Sequence, residues 1–285
     1  KTGKGFIMKL FAICDYTVNT GFGIVAENIL TNLPPDWDIA VLGINYRGNP
    51  HPLQKRHRVY PPGDDVYGFR RLQELITLEK PDRIFILNDI WLAAEYVTQI
   101  RKFAPHIPII VYTPIDSENI MREYIEPLHD CTLITYTQWG ADQLTYARKE
   151  PIHVIPHGVN LTHFTPIKKE EARKLSYAGT PLLDIDPFVV LYSSRNQPRK
   201  RVDLWIFTMA EWIKEYNRKD VYLHYHGATR DLGWHVEQLA QYYGIGDRLI
   251  LTAKNLDPST GIPVDKLKYV YGSADLYFHA CAVAG

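Results

Sequence analysis

Arg195, Arg199, Lys200 and Arg201 place four cations within seven residues, directly after the apolar run Phe188–Ser193 and directly before a segment of helical period starting at Val202. Cations at a helix start oppose the helix dipole, each by about 0.3–1 kcal/mol. A bound diphosphate reverses those signs, because helix amides and cations then share one anion. A solvated basic loop is the competing reading, and it is the common fate of a charge run. The consistent conflict with the dipole puts the anion site ahead.

Thr20-Gly21-Phe22-Gly23 is a second candidate anion loop, between the strand-like Lys9–Cys14 and the helical segment near Ile24–Leu33. Glycines there let backbone amides come close to a phosphate. An ordinary glycine turn accounts for the motif equally well. Gly21 to Ala26 also fits the G-x-G-x-x-A dinucleotide fingerprint, but six residues, Asp15 to Thr20, separate it from its strand. The second strand ends in Asn45, where that fingerprint calls for a ribose-binding acid. A nicotinamide oxidoreductase is therefore disfavoured.

The third candidate is Asp116, in Tyr112-Thr113-Pro114-Ile115-Asp116-Ser117 at the end of the run Pro108–Thr113. Ligands of open α/β sheets bind beyond the carboxyl ends of strands, which suits a carboxylate working on substrate. Helix capping is as good a reading, with Asp116 or Ser117 heading a helix through Asp130. No metal is expected. Asp184-Ile185-Asp186 has D-x-D form but precedes Pro187 in a linker-like stretch, and His224 and His226 share a strand face without a third ligand nearby. The Walker phosphate loop and the G-x-S-x-G elbow do not occur, which argues against a P-loop NTPase or an α/β-hydrolase.

The elements that must position these residues alternate in type. Short, mostly continuous apolar runs occur at Lys9–Cys14, Ile39–Ile44, Arg83–Leu87, Pro108–Thr113, Thr132–Thr137 and Ile152–Ile155, then at Phe188–Ser193, Val221–His226, Arg248–Thr252 and Ala274–Phe278. Such runs read as parallel strands covered on both faces. Helical stripes lie between them, among them Phe69, Leu72, Leu75 and Ile76, and Trp205, Met209, Trp212, Ile213 and Tyr216. The alternation predicts an α/β protein with two Rossmann-like, doubly wound parallel sheets. The Pro156–Pro187 stretch, rich in proline and charge, places the boundary, giving domains over 1–165 and 166–285. The second sheet has only four predicted strands and reads as truncated.

The 285 residues carry 32 Lys or Arg and 32 Asp or Glu, so no charge imbalance points to nucleic acid or an anionic membrane. Hydrophobic residues at 46% rule against a disordered chain. Three scattered cysteines, Cys14, Cys131 and Cys281, make neither a disulfide framework nor a metal knuckle, and a reduced, cytoplasmic setting fits them. No apolar run reaches the roughly 18 residues of a membrane span. Residues before Met8 read as a vector remnant or disordered start, and Asn160-Leu161-Thr162 as a chance sequon.

Taken in order, these pieces resemble the retaining GT-B glycosyltransferases, specifically the group 1 (family four) sugar-nucleotide enzymes, over nearly the whole chain from Met8 to Gly285. The glycine loop follows the first strand. Val154-Ile155-Pro156-His157-Gly158-Val159-Asn160 is similar to the segment closing that family's first domain. Arg195 and Lys200 match its diphosphate-binding Arg and Lys, while Asp247–Ile250 and Tyr269–Leu276 resemble its approach to the nucleotide site. The resemblance implies metal-independent transfer of a sugar from a nucleotide-diphosphate donor to an acceptor hydroxyl on a glycan, lipid or small molecule, with retention and without a cofactor. Arg195 and Lys200 would hold the diphosphate in a crevice between the domains, and Gly21, Phe22 and Gly23 would close over the donor. Asp116 would serve the reacting centre, and Asn255, beside Lys254, the base. Ala284 stands where the family's E-x₇-E element would begin. That departure motivates an alternative, a non-catalytic nucleotide-sugar or phosphate-binding protein.

Overall fold

The computed structural model describes residues 7–18, 20–148, 150–253, 256 and 261–281. Packing divides the chain between His157 and Gly158.

The first unit is built on seven parallel strands: β1 (Lys9–Asp15), β2 (Asp38–Ile44), β3 (Arg58–Tyr60), β4 (Arg83–Leu87), β5 (Ile109–Tyr112), β6 (Thr132–Thr135) and β7 (Ile152–Val154). Their order is β3-β2-β1-β4-β5-β6-β7. Six strands were expected here. The seventh, β3, is a three-residue edge strand, Arg58-Val59-Tyr60, too short to carry a periodic signal. Strand alternation sends Phe11, Ile13, Leu42 and Ile86 to one face. There they meet α2 (Leu72–Glu79) and α3 (Ile90–Arg101) through Leu72, Leu75, Tyr96 and Val97. Leu10, Ala12 and Cys14 go to the other face, against Ala26 and Leu30 of α1 (Gly21–Asn32). Two short helices, α4 (Arg122–Ile125) and α5 (Gln138–Thr145), complete the crossovers.

The second unit has four parallel strands among the described residues: β8 (Phe188–Ser193), β9 (Val221–His226), β10 (Leu249–Leu251) and β11 (Leu276–Tyr277), ordered β10-β9-β8-β11. On one face Val190, Tyr192, Leu223 and Tyr225 pack against α7 (Val202–Glu215) and α8 (Val236–Tyr242) through Trp205, Ile206 and Val236. On the other, α6 (Lys169–Ser176) contacts α9 (Val264–Gly272). The buried Arg173 of α6 clamps that side, donating to Asp275 Oδ2 at 2.6 Å, Asp186 Oδ1 at 2.8 Å and the Pro187 carbonyl at 2.8 Å. Removing one partner from so buried an ion pair is costly, which makes this network a structural anchor for the helix.

In each sheet the first strand lies between the second and fourth strands of its unit, so successive crossovers leave to opposite sides. That reversal opens a crevice at the carboxyl ends of β1 and β8. The two glycine- and cation-rich loops emerge there.

Candidate functional site

The loop after β8 is fixed by side chains and by two close glycine contacts. Asn196 is buried, and its Nδ2 donates to the Trp234 carbonyl at 2.7 Å and the Ala228 carbonyl at 3.2 Å. The Gly233 amide donates back to the Asn196 carbonyl at 3.0 Å. A Cβ at Gly233 would stand 2.2 Å from Asn196 Oδ1, and one at Gly227 would stand 2.5 Å from the Ser194 carbonyl oxygen. Neither position leaves room for a side chain. Asn196 Oδ1 is buried without a hydrogen-bond partner. The buried Tyr192 hydroxyl donates to the Lys200 carbonyl, and the turn Pro198–Lys200 closes with the Lys200 amide on the Gln197 carbonyl at 2.9 Å.

Local acids offset part of the charge run. Arg195 Nε bonds Asp231 Oδ2 at 2.9 Å, and that hydrogen bond raises its already high pKa. Arg201 pairs with Asp203 at 3.0 Å while its backbone takes the left-handed conformation, φ 55°. The expected conflict with the dipole is thus reduced by Asp203 in the first turn of α7. Lys200 differs: its ammonium has no hydrogen-bond or ion-pair partner among the described residues. Its charge reaches His279, whose pKa is lowered by burial first and by Lys200 second. His279 lies 6.0 Å from the stacked Tyr277 ring and 5.6 Å from Tyr192, and the Tyr277 hydroxyl donates to the Ser193 carbonyl at 3.1 Å. No side chain caps α7, so its first amides have no intrahelical acceptor. Lys200 and the open amides of α7 both belong to the segment that follows β8, where the strand order reverses.

The two glycines of the first loop have different reasons to be glycine. A Cβ on Gly23 would sit 2.0 Å from the Val18 carbonyl oxygen, so packing alone demands glycine. A Cβ on Gly21 would meet nothing within 4 Å. Thr20 caps α1, its Oγ1 accepting from the Gly23 amide at 2.9 Å and donating to Asp15 Oδ2 at 2.8 Å. Asn45, at φ 61°, adds a bond to Asp15 Oδ1 at 3.3 Å. Burial pushes the Asp15 carboxyl up while these two bonds pull it down. Phe22 packs its ring on the core beneath. The first-turn amides of Gly21 and Phe22 have no acceptor within the helix.

Asp116 is exposed on the loop after β5, and the capping alternative does not survive. The next helix, α4, starts at Arg122 with Met121 at its N-cap, so neither Asp116 nor Ser117 heads it. Asp116 instead lines a cavity of about 300 Å³ with Asp89, Trp91, Ser117, Asn119 and Tyr124. Asp89 comes from the end of β4, the neighbour of β1. Burial raises the pKa of Tyr136, with smaller contributions from Tyr112, Asp89 and Asp116. The Tyr136 ring lies 3.8 Å from His157 and 5.0 Å from Tyr112. Burial lowers the His157 pKa, which favours the neutral imidazole.

Other sequence candidates have structural partners. His224 is buried between the Tyr177 hydroxyl at 3.3 Å and Thr252 Oγ1 at 3.0 Å; His226 shares that Thr252 hydroxyl at 3.0 Å. Arg248 donates to the carbonyls of Lys219 and Val221, bracing a strand edge. Among the described residues no three His, Cys, Asp or Glu side chains gather as a metal site would require. Asn255 and Lys254 lie outside the described residues. Asp89, Trp91, Tyr136, Asp231 and His279 escaped the sequence reading. Asp89 alone had a usable signal, an acid just past a buried strand, but that β4 lies beside β1 is a property of topology.

No protein-family model matches the sequence, and no curated protein matches it. Solved structures do. A glycosyltransferase from Rickettsia africae superposes with a TM-score of 0.65 at 14% identity, over 97% of this chain and 73% of that one. A UDP-forming α,α-trehalose-phosphate synthase from Burkholderia xenovorans, in complex with glucose-6-phosphate, gives 0.60 at 10% identity over 96% and 79%. The catalytic domain of starch synthase IV from Arabidopsis thaliana, bound to ADP and acarbose, gives 0.57 at 13% over 96% and 78%. The likeness is one of fold, and the fold is the GT-B fold implied by the sequence resemblance.

Proposed function

We propose that this chain is a retaining glycosyltransferase of the group 1 type, moving a sugar from a nucleoside-diphosphate donor to an acceptor hydroxyl. The observation that carries the reading is the Lys200 ammonium, unpaired among the described residues, at the uncapped start of α7 where the second sheet reverses its strand order. Proteins of the same fold described as UDP-forming or bound to ADP support a nucleoside diphosphate as the anion.

In this reading the bond between the anomeric carbon and the diphosphate oxygen breaks, and the acceptor oxygen forms its bond on the same face. The acceptor proton passes to the departing diphosphate. Charge grows on that leaving group during the step, so Lys200, Arg195 and the α7 amides stabilise the transition state more than the bound donor. Asp231 holds the Arg195 guanidinium in place. Asp116 orients the acceptor or supports positive charge at the anomeric carbon. The open Gly21 and Phe22 amides serve donor oxygens. Asn255 is assigned to the base on the resemblance alone. The chemistry needs no resident cofactor or metal, and a reduced, cytoplasmic setting suits three scattered cysteines that form no disulfide framework.

The test is a transfer assay over UDP-, ADP- and GDP-sugars with and without EDTA, following the product anomer by NMR. Retained configuration and a rate unchanged within about twofold by EDTA are expected. An inverted product, or a rate abolished by chelation, would remove the mechanism. Donor binding without any turnover would favour the binding-protein alternative.

A further inference from the structure

Asp15, the last residue of β1, is buried and has no cation partner among the described residues. Its Oδ2 accepts from Thr20 Oγ1 at 2.8 Å and its Oδ1 from Asn45 Nδ2 at 3.3 Å. A carboxylate taken out of water on two neutral donors is destabilising to keep. Burial pushes its pKa up, and those two bonds oppose the rise. The titratable groups that feel its charge are Cys14 and Tyr96, both held protonated first by burial. The adjacent Tyr16 hydroxyl bonds His57 instead, at 2.8 Å.

Capping α1 does not by itself require this acid. Thr137 heads α5 in the same way, its Oγ1 accepting from the Gly140 amide at 3.0 Å, and its hydroxyl bonds no carboxylate among the described residues. What Asp15 adds is direction. A hydroxyl has one proton, and donating it to Asp15 turns the Thr20 lone pairs toward the Gly23 amide at 2.9 Å. That fixes the loop with the Gly21 and Phe22 amides left without helical acceptors, where a Cβ on Gly21 would meet nothing within 4 Å. Asn45 completes the brace. It follows β2 in the left-handed conformation, φ 61°, at the place where a dinucleotide site would carry its ribose-binding acid.

We infer that Asp15 is a positioning residue: charged, it holds Thr20 so that the Gly21 and Phe22 amides meet donor oxygens, and protonated, it releases that hold. This rests on the glycosyltransferase reading above and ties the rate of transfer to a buried acid behind the glycine loop.

The test is the profile of kcat and donor KM from about pH 4.5 to pH 8 for wild type, Asp15→Asn, Thr20→Val, Thr20→Ser and Asn45→Gly, with thermal melts to confirm folding. Wild-type kcat should fall on the acid side, with its midpoint above the ordinary aspartate range, because burial raises the folded pKa. Asn45→Gly accepts the left-handed backbone but removes a bond to the charged form, so its acid limb should move to higher pH. Asp15→Asn should lose the limb and lower kcat about tenfold, with donor KM within about threefold, since the amides act on charge that grows during the step. Thr20→Ser should keep most of the rate. Adding Asp15→Asn to Thr20→Val should lower kcat no further than Thr20→Val alone, as expected of two residues acting in series. A fully active Asp15→Asn, an unmoved limb in Asn45→Gly, or multiplicative losses in the double variant would overturn the inference. Carbon-13 titration of the Asp15 carboxyl reads its protonation without substrate, and a value below the ordinary range would overturn it too. A wild-type chain that transfers nothing counts against the transferase reading itself, whereas transfer with a profile indifferent to Asp15 counts against this inference alone.

Discussion

Asp116 shows how a side chain changes meaning once its neighbours are known. In the sequence it could cap a helix or serve a substrate, and spacing alone could not decide, because a cap is defined by where the helix begins. The helix begins at Arg122, and Asp116 is left on a cavity wall with Asp89. Asp116→Asn keeps size and shape while removing charge. On the proposed role at the reacting centre, transfer should fall at least about a hundredfold, and donor affinity should change by less than about threefold. Single-turnover rates beside equilibrium donor titration separate the two; a fully active Asn variant would return Asp116 to the surface. Arg195 and Lys200 stood out as candidates because charge runs are visible in sequence. Their inequality did not, since the acid that pairs Arg195, Asp231, lies 36 residues away along the chain.

At the scale of elements, the glycine loop gives a paired prediction. Gly23→Ala drives a methyl group into the Val18 carbonyl and should cost about 1–3 kcal/mol in unfolding free energy. Gly21→Ala meets open space at a helical position and should hold stability or raise it by up to about 1 kcal/mol. If backbone approach to a phosphate is its purpose, the same change should lower transfer about tenfold. Thermal melts and rates on both variants read this directly, and a fully active Gly21→Ala would make the loop an ordinary turn.

His224 sets a second element-scale expectation. Burial lowers its pKa to about 3, so between about pH 6.5 and pH 3 the unfolded chain binds the proton that the folded chain refuses. Stability is therefore fully present above pH 6.5 and lost as pH falls. Between pH 7 and pH 4.5 the loss from this group should be on the order of 2–3 kcal/mol. Burial shifts His226, His57 and His157 in the same direction. His224→Gln, which can still bond Thr252, should flatten the pH dependence of denaturant unfolding, and a slope equal to wild type would contradict the assignment.

Across the whole molecule, the parallel architecture was legible because a strand buried on both faces must have an apolar interior, and β1, β2, β4 and β8 do. Strand β3 was hidden, because three edge residues, one of them Arg58, carry no pattern. Strand order lay beyond the sequence too, and it is the order that makes the carboxyl ends of β1 and β8 crevices. Both sheets show the same reversal, and each places a candidate loop at that point. The claim beneath the proposed function is that the loop after β8 grips a diphosphate. Calorimetric titration of UDP, ADP and GDP into the wild-type chain and into Lys200→Ala tests it most directly. One nucleoside diphosphate should bind, and the variant should lose at least about tenfold in affinity, the scale of a charge-assisted hydrogen bond. Binding of none of the three, or an affinity untouched by removing the ammonium, would contradict the account.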